Sequence, residues 1–382
     1  YLMASEPGSF AQKTVKQRLP KILEQVISTT DFPLHINQKL QNFLVELIHG
    51  QVQLLAEESG DRDLWDRDLQ PWMGNQWDQM PWLLAEAFFY RRILEITHYF
   101  QPGSRSGVDP FESLKTQEIQ EGMYVFEDLY PEMITEDSID CFKDHLIKAL
   151  WGNRGDLSML GTLDPDMQIQ RHRIILDQSL PAHRYLSSHR PASIAYFFDN
   201  VGKELFFDLA LIDYLLESNL ASYVTCYVKP HPFFISDVMP KDLNKSINLL
   251  AAAQDPKVKK HSERLKKHIQ AGRLIVAAPS FLTLGREFHE MPVKLQKQLE
   301  LHNLTILKGD LNYRRLMRDR HWPPTTPVEA AGGYFPTPFL SLRTLKSELI
   351  VGLTVEGLEK VKNEGDPDWL TNGKRGIITF CQ

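Results

Sequence analysis

The sequence predicts an α/β fold with a mostly parallel sheet behind a helical amino-terminal region, and three observations predict it. Ser193–Phe198 is a short apolar, aromatic-rich run that stops at Asp199 and Asn200, as a fully buried parallel strand does. After Gly202, the residues Leu205, Leu209, Ile212 and Leu216 fall on one helical face, so strand, tight turn and helix follow one another. That pattern then recurs downstream, and strand–helix alternation at this spacing builds βαβ units.

The elements follow in chain order. From Phe10 to about Leu150 the spacing is helical, with little β-branched alternation. Val15–Ile27 places Leu19, Ile22, Leu23 and Val26 on one face, Leu40–Leu55 repeats the idea, and Pro81–Phe100 is the strongest helix of the group. The segment Asp61–Trp82 carries Trp65, Trp72, Trp77 and Trp82; it reads as the anchor of a long loop more than as a sugar-binding face. Glu86, Tyr90, Arg91 and Arg92 have the spacing of an ion-pair series on a helix surface. At Trp151–Ser158 two glycines and several short polar side chains mark a turn, and Asn153, Asp156 and Ser158 read either as ligand contacts or as bonding the turn's own backbone. Beyond it come strand Ser193–Phe198, helix Lys203–Ser218, strand Tyr223–Val228, a loop to Asp237, a basic helix Lys257–Gln270, strand Arg273–Ala277, helix Val293–His302 and strand Leu304–Leu307. The expected organisation is a helical domain over 1–150 and an α/β metal-binding catalytic domain over 151–382.

Composition bounds the function. The 382 residues are 42% hydrophobic and 24% charged, ordinary values for a soluble globular chain. A net charge of −6 argues against a protein whose main task is neutralising nucleic-acid phosphates, so no nucleic-acid partner is expected and any phosphate site is local. Cys141, Cys226 and Cys381 are few and widely spaced, which suggests neither a disulfide framework nor a zinc cluster and fits a reducing cytoplasm. The start lacks the basic and apolar regions of a secretory signal, Met3 reads as a candidate native start, and no run approaches a membrane span.

Three strands lead into a carboxylate: Asp199 with Asn200, Asp237, and Asp310. Parallel strands with right-handed crossovers put their carboxyl ends on one edge, so these groups are expected to converge. Clustered carboxylates repel and are costly to desolvate without a cation, and Asp, Asn and Asp are hard oxygen ligands that favour Mg²⁺ or Mn²⁺ over structural zinc. Lys308 and Arg314 flank the last acidic turn, and Arg343 and Lys346 follow near the carboxyl terminus. By themselves Arg343 and Lys346 read as a solvated helix or loop face. Beside an acidic metal cluster they read as cations that grip a dianionic phosphate ester.

Taken together, these motifs resemble one known family. They are Trp151-Gly152-Asn153 with Asp156-Leu157-Ser158, the Asp199-Asn200-x-Gly202-x-Glu204 turn, the Lys229–Asp237 loop, Lys308–Arg314, and Arg343-Thr344-x-Lys346, with Pro81–Glu86, Tyr90–Arg92 and Asp109–Phe111 upstream. The family is the metal-dependent damage-control phosphatases, in the subfamily of the acidic-residue (protein-glutamate) methyltransferase homologues. The resemblance implies a Rossmann-like α/β/α core with a helical amino-terminal domain. It implies Mn²⁺, or Mg²⁺, Co²⁺ or Ni²⁺, on Asp199, Asn200 and Asp237. It implies a substrate phosphate met by Asp310, Leu311, Asn312, Tyr313, Arg314 and Lys346, with Asn153 and Glu204 also at the pocket. The expected catalytic set is Asp199, Asn200, Asp310, Arg314 and Lys346, and the expected reaction is hydrolysis of a sugar phosphate such as fructose 1-phosphate or a related phosphorylated metabolite. His231 in the Lys229–Phe234 loop departs from the expected pattern and bears on substrate identity.

The rival is an S-adenosylmethionine-dependent carboxyl methyltransferase. Such a site follows its first strand with several glycines, whereas Gly202 stands alone in this turn. Asp199-Asn200-Val201 lacks the second aspartate of haloacid-type phosphatases, and no Gly-Lys-Ser/Thr loop offers a kinase cradle.

Overall fold

A computed structural model describes residues 1–56, 59–130, 137–152 and 171–382. Its centre is a seven-stranded sheet of β1 (Ile174–Asp177), β2 (Ala192–Phe197), β3 (Ala221–Tyr227), β4 (Leu274–Ala277), β5 (Leu304–Lys308), β6 (Phe339–Thr344) and β7 (Gly376–Cys381). The spatial order is β1-β7-β6-β5-β2-β3-β4. Strands β2 to β6 run parallel, β7 is antiparallel to β6, and β1 runs parallel to β7. The sheet is therefore mostly parallel, as the alternation predicts.

Side chains alternate across a strand, and β2 shows what that does here. Ala195 and Phe197 join one buried cluster, while Ile194, Tyr196 and Phe198 join another on the opposite face. The first cluster is completed by α1 (Phe10–Lys13), α2 (Leu19–Thr29), α3 (Leu34–His49), α4 (Arg62–Leu69) and α5 (Trp82–Ile96). The second is completed by α6 (Glu112–Leu129), α7 (Ile139–Trp151), α8 (Ser179–Ser188), α9 (Lys203–Glu217), α10 (Pro240–Ala251) and α11 (Pro256–Gln270). Two helical layers thus sandwich the sheet, and the helices before Gly152 are divided between its two faces. Later come α12 (Val293–Leu299), α13 (Gly309–Leu316), α14 (Val328–Gly332) and α15 (Val355–Asn363).

Several elements depart from the sequence pattern for identifiable reasons. The expected helix Val15–Ile27 is interrupted by one π turn, Thr14–Arg18, between α1 and α2. The expected Leu40–Leu55 helix starts earlier, after Pro33, and stops at Gly50. Helix α5 is buried on nearly every side, so Glu86, Tyr90 and Arg91 form no surface series, and only the half-buried Arg92 makes ion pairs of that kind, with Glu95 and Glu46. Arg91 instead donates to Asp61 and Ser59, and Glu86 accepts from Arg314. Trp65, Trp77 and Trp82 are buried, which agrees with an anchoring role for that segment. Ser341–Lys346 is not a solvated face: Phe339–Thr344 is a wholly buried strand in which Arg343 is fully enclosed.

Candidate active site

The sheet's order reverses between β5 and β2, because the chain steps outward from β2 to β3 and β4 on one side and β5 lies on the other. Ligands in open α/β sheets bind outside the carboxyl ends of the strands at such a switch point. Here the turns after β2, β3 and β5 line one cavity of about 610 Å³, with Asp199, Asn200, Asp237, Asp310 and Lys346 in its wall.

The β2 turn is shaped by close backbone approach. Gly202 adopts φ +75°, open to glycine, and a Cβ there would lie 2.7 Å from the Glu118 carbonyl oxygen. Reciprocally, a Cβ on Gly122 in the middle of α6 would lie 2.2 Å from the Lys203 nitrogen. These two glycines seat α6 directly on the turn, bringing Glu118 and Glu121 to the cavity. The β3 loop is stitched to the same turn: Val201 N–H donates to the Ser236 carbonyl (2.7 Å), Val238 N–H to the Asp199 carbonyl (3.0 Å), and Asn200 and Asp237 form an isolated bridge.

Asn200 Nδ2 donates to Asp199 Oδ2 (2.9 Å) and Glu204 Oε2 (3.1 Å), and Asn200 Oδ1 accepts from Ser236 Oγ (2.7 Å). Burial pushes the Asp199 carboxyl well above the usual range, and the charges of Glu204 and Asp237 push it further. Asp237 is raised by burial against the pull of Lys229, whose Nζ lies 3.1 Å from Asp237 Oδ2. Carboxylates crowded in this way call for a cation.

Asp310, at the start of α13, receives Arg343 Nε (2.7 Å), Ser347 Oγ (3.0 Å) and the Lys346 N–H (3.4 Å), all on Oδ1. Burial alone would raise its pKa; Arg343 and then Arg314 outweigh burial and hold it below the ordinary value. Leu311 lines the cavity. Asn312 and Tyr313 do not: Asn312 Nδ2 donates to the Phe198 and Lys308 carbonyls, and the Tyr313 hydroxyl accepts the Val351 N–H beneath a stacked Arg343. Arg314 lines the cavity but is already clamped, donating to Glu86 Oε2 (2.5 Å) and to both oxygens of Asp319 (2.7 and 2.9 Å) over the Trp82 ring. Two of its five N–H donors stay uncommitted by these bonds.

Lys308 departs from its expected place beside the phosphate. Its ammonium is buried under the site between Glu204 (3.0 Å), Asp208 (2.7 Å) and the Ala149 carbonyl (2.8 Å). His231 is not in the cavity wall; it is bonded to Thr283 Oγ1 (2.8 Å) with its ring edge-on to Phe100, and burial lowers it to about 4, so it is a neutral packing residue. Asn153, Asp156 and Ser158 lie outside the described residues. Two further groups among the described residues bring three metal-competent side chains together, Asp213–Glu217–His268 and Glu287–His289–Glu290, both away from this cavity.

The sequence reading did not anticipate Arg18 and Ile22 of the first helices or Glu118 and Glu121 of α6, all of which line the cavity. Gly122 was the available signal, because a glycine inside a helical pattern marks a close packing contact.

This architecture and site define an α/β protein with an acid-rich cavity at the sheet's switch point, mixed with basic groups. Residues 14–361 match the damage-control phosphatase ARMT1-like domain, and the chain belongs to that phosphatase family. Among its relatives are Damage-control phosphatase ARMT1 of Danio rerio, 31% identical over 99% of this chain and 96% of that protein, and its Homo sapiens counterpart, 30% identical over 99% and 98%. The crystal structure of a DUF89 family protein from Pyrococcus horikoshii shares the fold, with a TM-score of 0.54 and 12% identity across 96% of this chain and 98% of that one. Among the described residues, no helix is long and apolar enough to cross a membrane.

Proposed function

We propose that this chain is a divalent-metal-dependent phosphatase acting on a sugar phosphate or related phosphorylated metabolite of the fructose 1-phosphate kind. The observation that carries this reading is the meeting of Asp199, Asn200, Asp237, Asp310 and Lys346 in one cavity at the switch point. Asp199, Asn200 and Asp237 fit a divalent cation. Their carboxylates crowd one another, and the Asn200 amide already bridges Asp199 and Glu204 with its positive end, where a cation would serve. Turned about its last bond, that amide presents Oδ1 inward while Nδ2 donates to Ser236 Oγ. The hard oxygen set suits Mn²⁺, with Mg²⁺, Co²⁺ or Ni²⁺ as alternatives. Bound there, such an ion supplies Lewis-acid polarisation of a phosphoryl oxygen.

The chain's own residues do the rest. Lys346 at the cavity wall offers an ammonium to the phosphoryl oxygens, and Arg314 adds its two uncommitted N–H donors. Asp310, held ionised by Arg343, orients the attacking water by accepting its hydrogen bond on Oδ2. Glu204 and Asn200 fix the geometry of the β2 turn.

Phosphate release from a panel of phosphorylated metabolites, run with the four metals in parallel, tests this. The Asp199→Ala and Asp237→Ala variants are expected to lose bound metal and turnover together. Full activity in either variant would refute the ligand assignment.

A further inference from the structure

Arg18 closes the π turn Thr14–Arg18, and Ile22 follows one helical turn later; both line the cavity. Their neighbours on that wall are Trp82, Glu86 and Tyr90 of α5. The charge of Arg18 bears on Glu86 and Tyr90, whereas the cations acting most on Asp199 and Asp310 are Lys229, Lys346, Arg343 and Arg314. Arg18 thus stands with Glu86 and Tyr90 on the wall that the first helices and α5 build, and the charge of Asp237 also reaches Tyr90. The other guanidinium of the cavity, Arg314, is held by Glu86 and Asp319, and its two remaining N–H donors are the ones assigned above to the phosphoryl group. Arg18 is exposed and makes no ion pair among the described residues. One-turn π insertions in helices occur often at functional sites.

We propose that Arg18 reads the non-reacting end of the substrate, donating its planar fork of N–H groups to the hydroxyl oxygens of a polyol that carries a single phosphoryl group. This rests on the phosphatase reading above and names the part of the ester that reading leaves open. The surrounding chemistry matches a sugar. Glu86, whose Oε2 accepts from Arg314, has its other carboxylate oxygen to accept from a hydroxyl, and the half-buried Ile22 and Phe234 offer apolar surface to C–H groups. A second anionic group is disfavoured, because seven lining carboxylates face four lining cations and one divalent ion does not reverse that balance.

The test compares the parent with Arg18→Ala and Arg18→Lys on three esters: fructose 1-phosphate, fructose 1,6-bisphosphate and p-nitrophenyl phosphate, which has no polyol. Losing a charged donor pair is expected to raise KM for fructose 1-phosphate about ten- to a hundredfold in Arg18→Ala. The loss in kcat/KM on the sugar ester should exceed that on p-nitrophenyl phosphate at least tenfold, with kcat little changed. Arg18→Lys keeps the charge without the fork and should recover only part of the affinity. Equal losses on both esters place Arg18 at the phosphoryl end and overturn the proposal, as does an unchanged KM. A parent that prefers the bisphosphate and loses that preference in Arg18→Ala overturns it too, by making Arg18 a reader of a second anion. If the parent turns over none of the three esters with any metal, the phosphatase reading fails by itself. Calorimetric binding of fructose 1-phosphate to parent and Arg18→Ala then decides the role of Arg18: weaker binding supports it and equal binding overturns it.

Discussion

Gly309 backs directly onto Asp199: a Cβ placed on Gly309 would fall 1.9 Å from Asp199 Oδ2 and 2.2 Å from its Cγ. The β5 turn thus closes against the acidic end of β2 with no room for any side chain. Gly309 also holds φ +83°, a conformation costly for other residues.

Gly309→Ala is therefore expected to displace the Asp199 carboxylate. The strained φ contributes about 1–3 kcal/mol of lost stability, and the contact adds to it. Thermal unfolding and metal-dependent phosphate release measure the two effects, with activity expected to fall more than tenfold. An active variant with an unchanged Tm would show that the turn tolerates the methyl group.

The fully enclosed Arg343 pairs with the half-buried Asp310, the guanidinium also donating to Ser347 and to the Leu349 carbonyl. Arg343→Met leaves Asp310 without its main cation, a change that costs about 3–5 kcal/mol in buried pairs. Adding Asp310→Asn removes the stranded charge, so the double variant should be more stable than the sum of the single losses predicts. Strict additivity in denaturant unfolding would contradict the pairing.

How much of this was legible in the sequence depended on distance along the chain. The β2 turn was readable because strand, acid, glycine and helix follow one another locally. Strand β6 was not readable, because Arg343 looks like a surface residue until Asp310, 33 residues earlier, is placed beside it. Lys308 was misplaced for the same reason: its partners Glu204 and Asp208 sit on α9, and no local pattern announces them. The wall built by Arg18 and Glu118 is a tertiary product of helices packing over the sheet edge.

Lys308→Met should act through stability more than through the phosphate. It strands Glu204 and Asp208 in a buried setting where Tyr196 also donates to Asp208 (2.8 Å), at an expected cost of about 3–5 kcal/mol. Denaturant unfolding measures it. A fully stable variant with raised KM for phosphate esters would return Lys308 to the substrate side.

Glu287 gives a pH signature outside the cavity. Burial first, then the neighbouring Glu290, raise its carboxyl from an ordinary 4.5 to about 8. The folded state therefore binds this proton more tightly than the unfolded chain. The stabilisation is fully present below pH 4.5 and is lost as pH rises through about 8. Glu287→Gln should gain stability relative to the parent as pH climbs from 5 to 9. A pH-independent difference in Tm between the two would contradict this.

The pairing of β5 with β2 carries a kinetic consequence. These neighbours are separated in the chain by β3, β4 and all their helices, so joining them means closing a long loop, the kind of contact that slows folding. Only when that loop has closed do the Asp199 and Asp310 turns face each other. A nascent or proteolytically nicked chain can thus hold abundant helix and still be catalytically silent, which makes recovery of activity a late reporter of refolding.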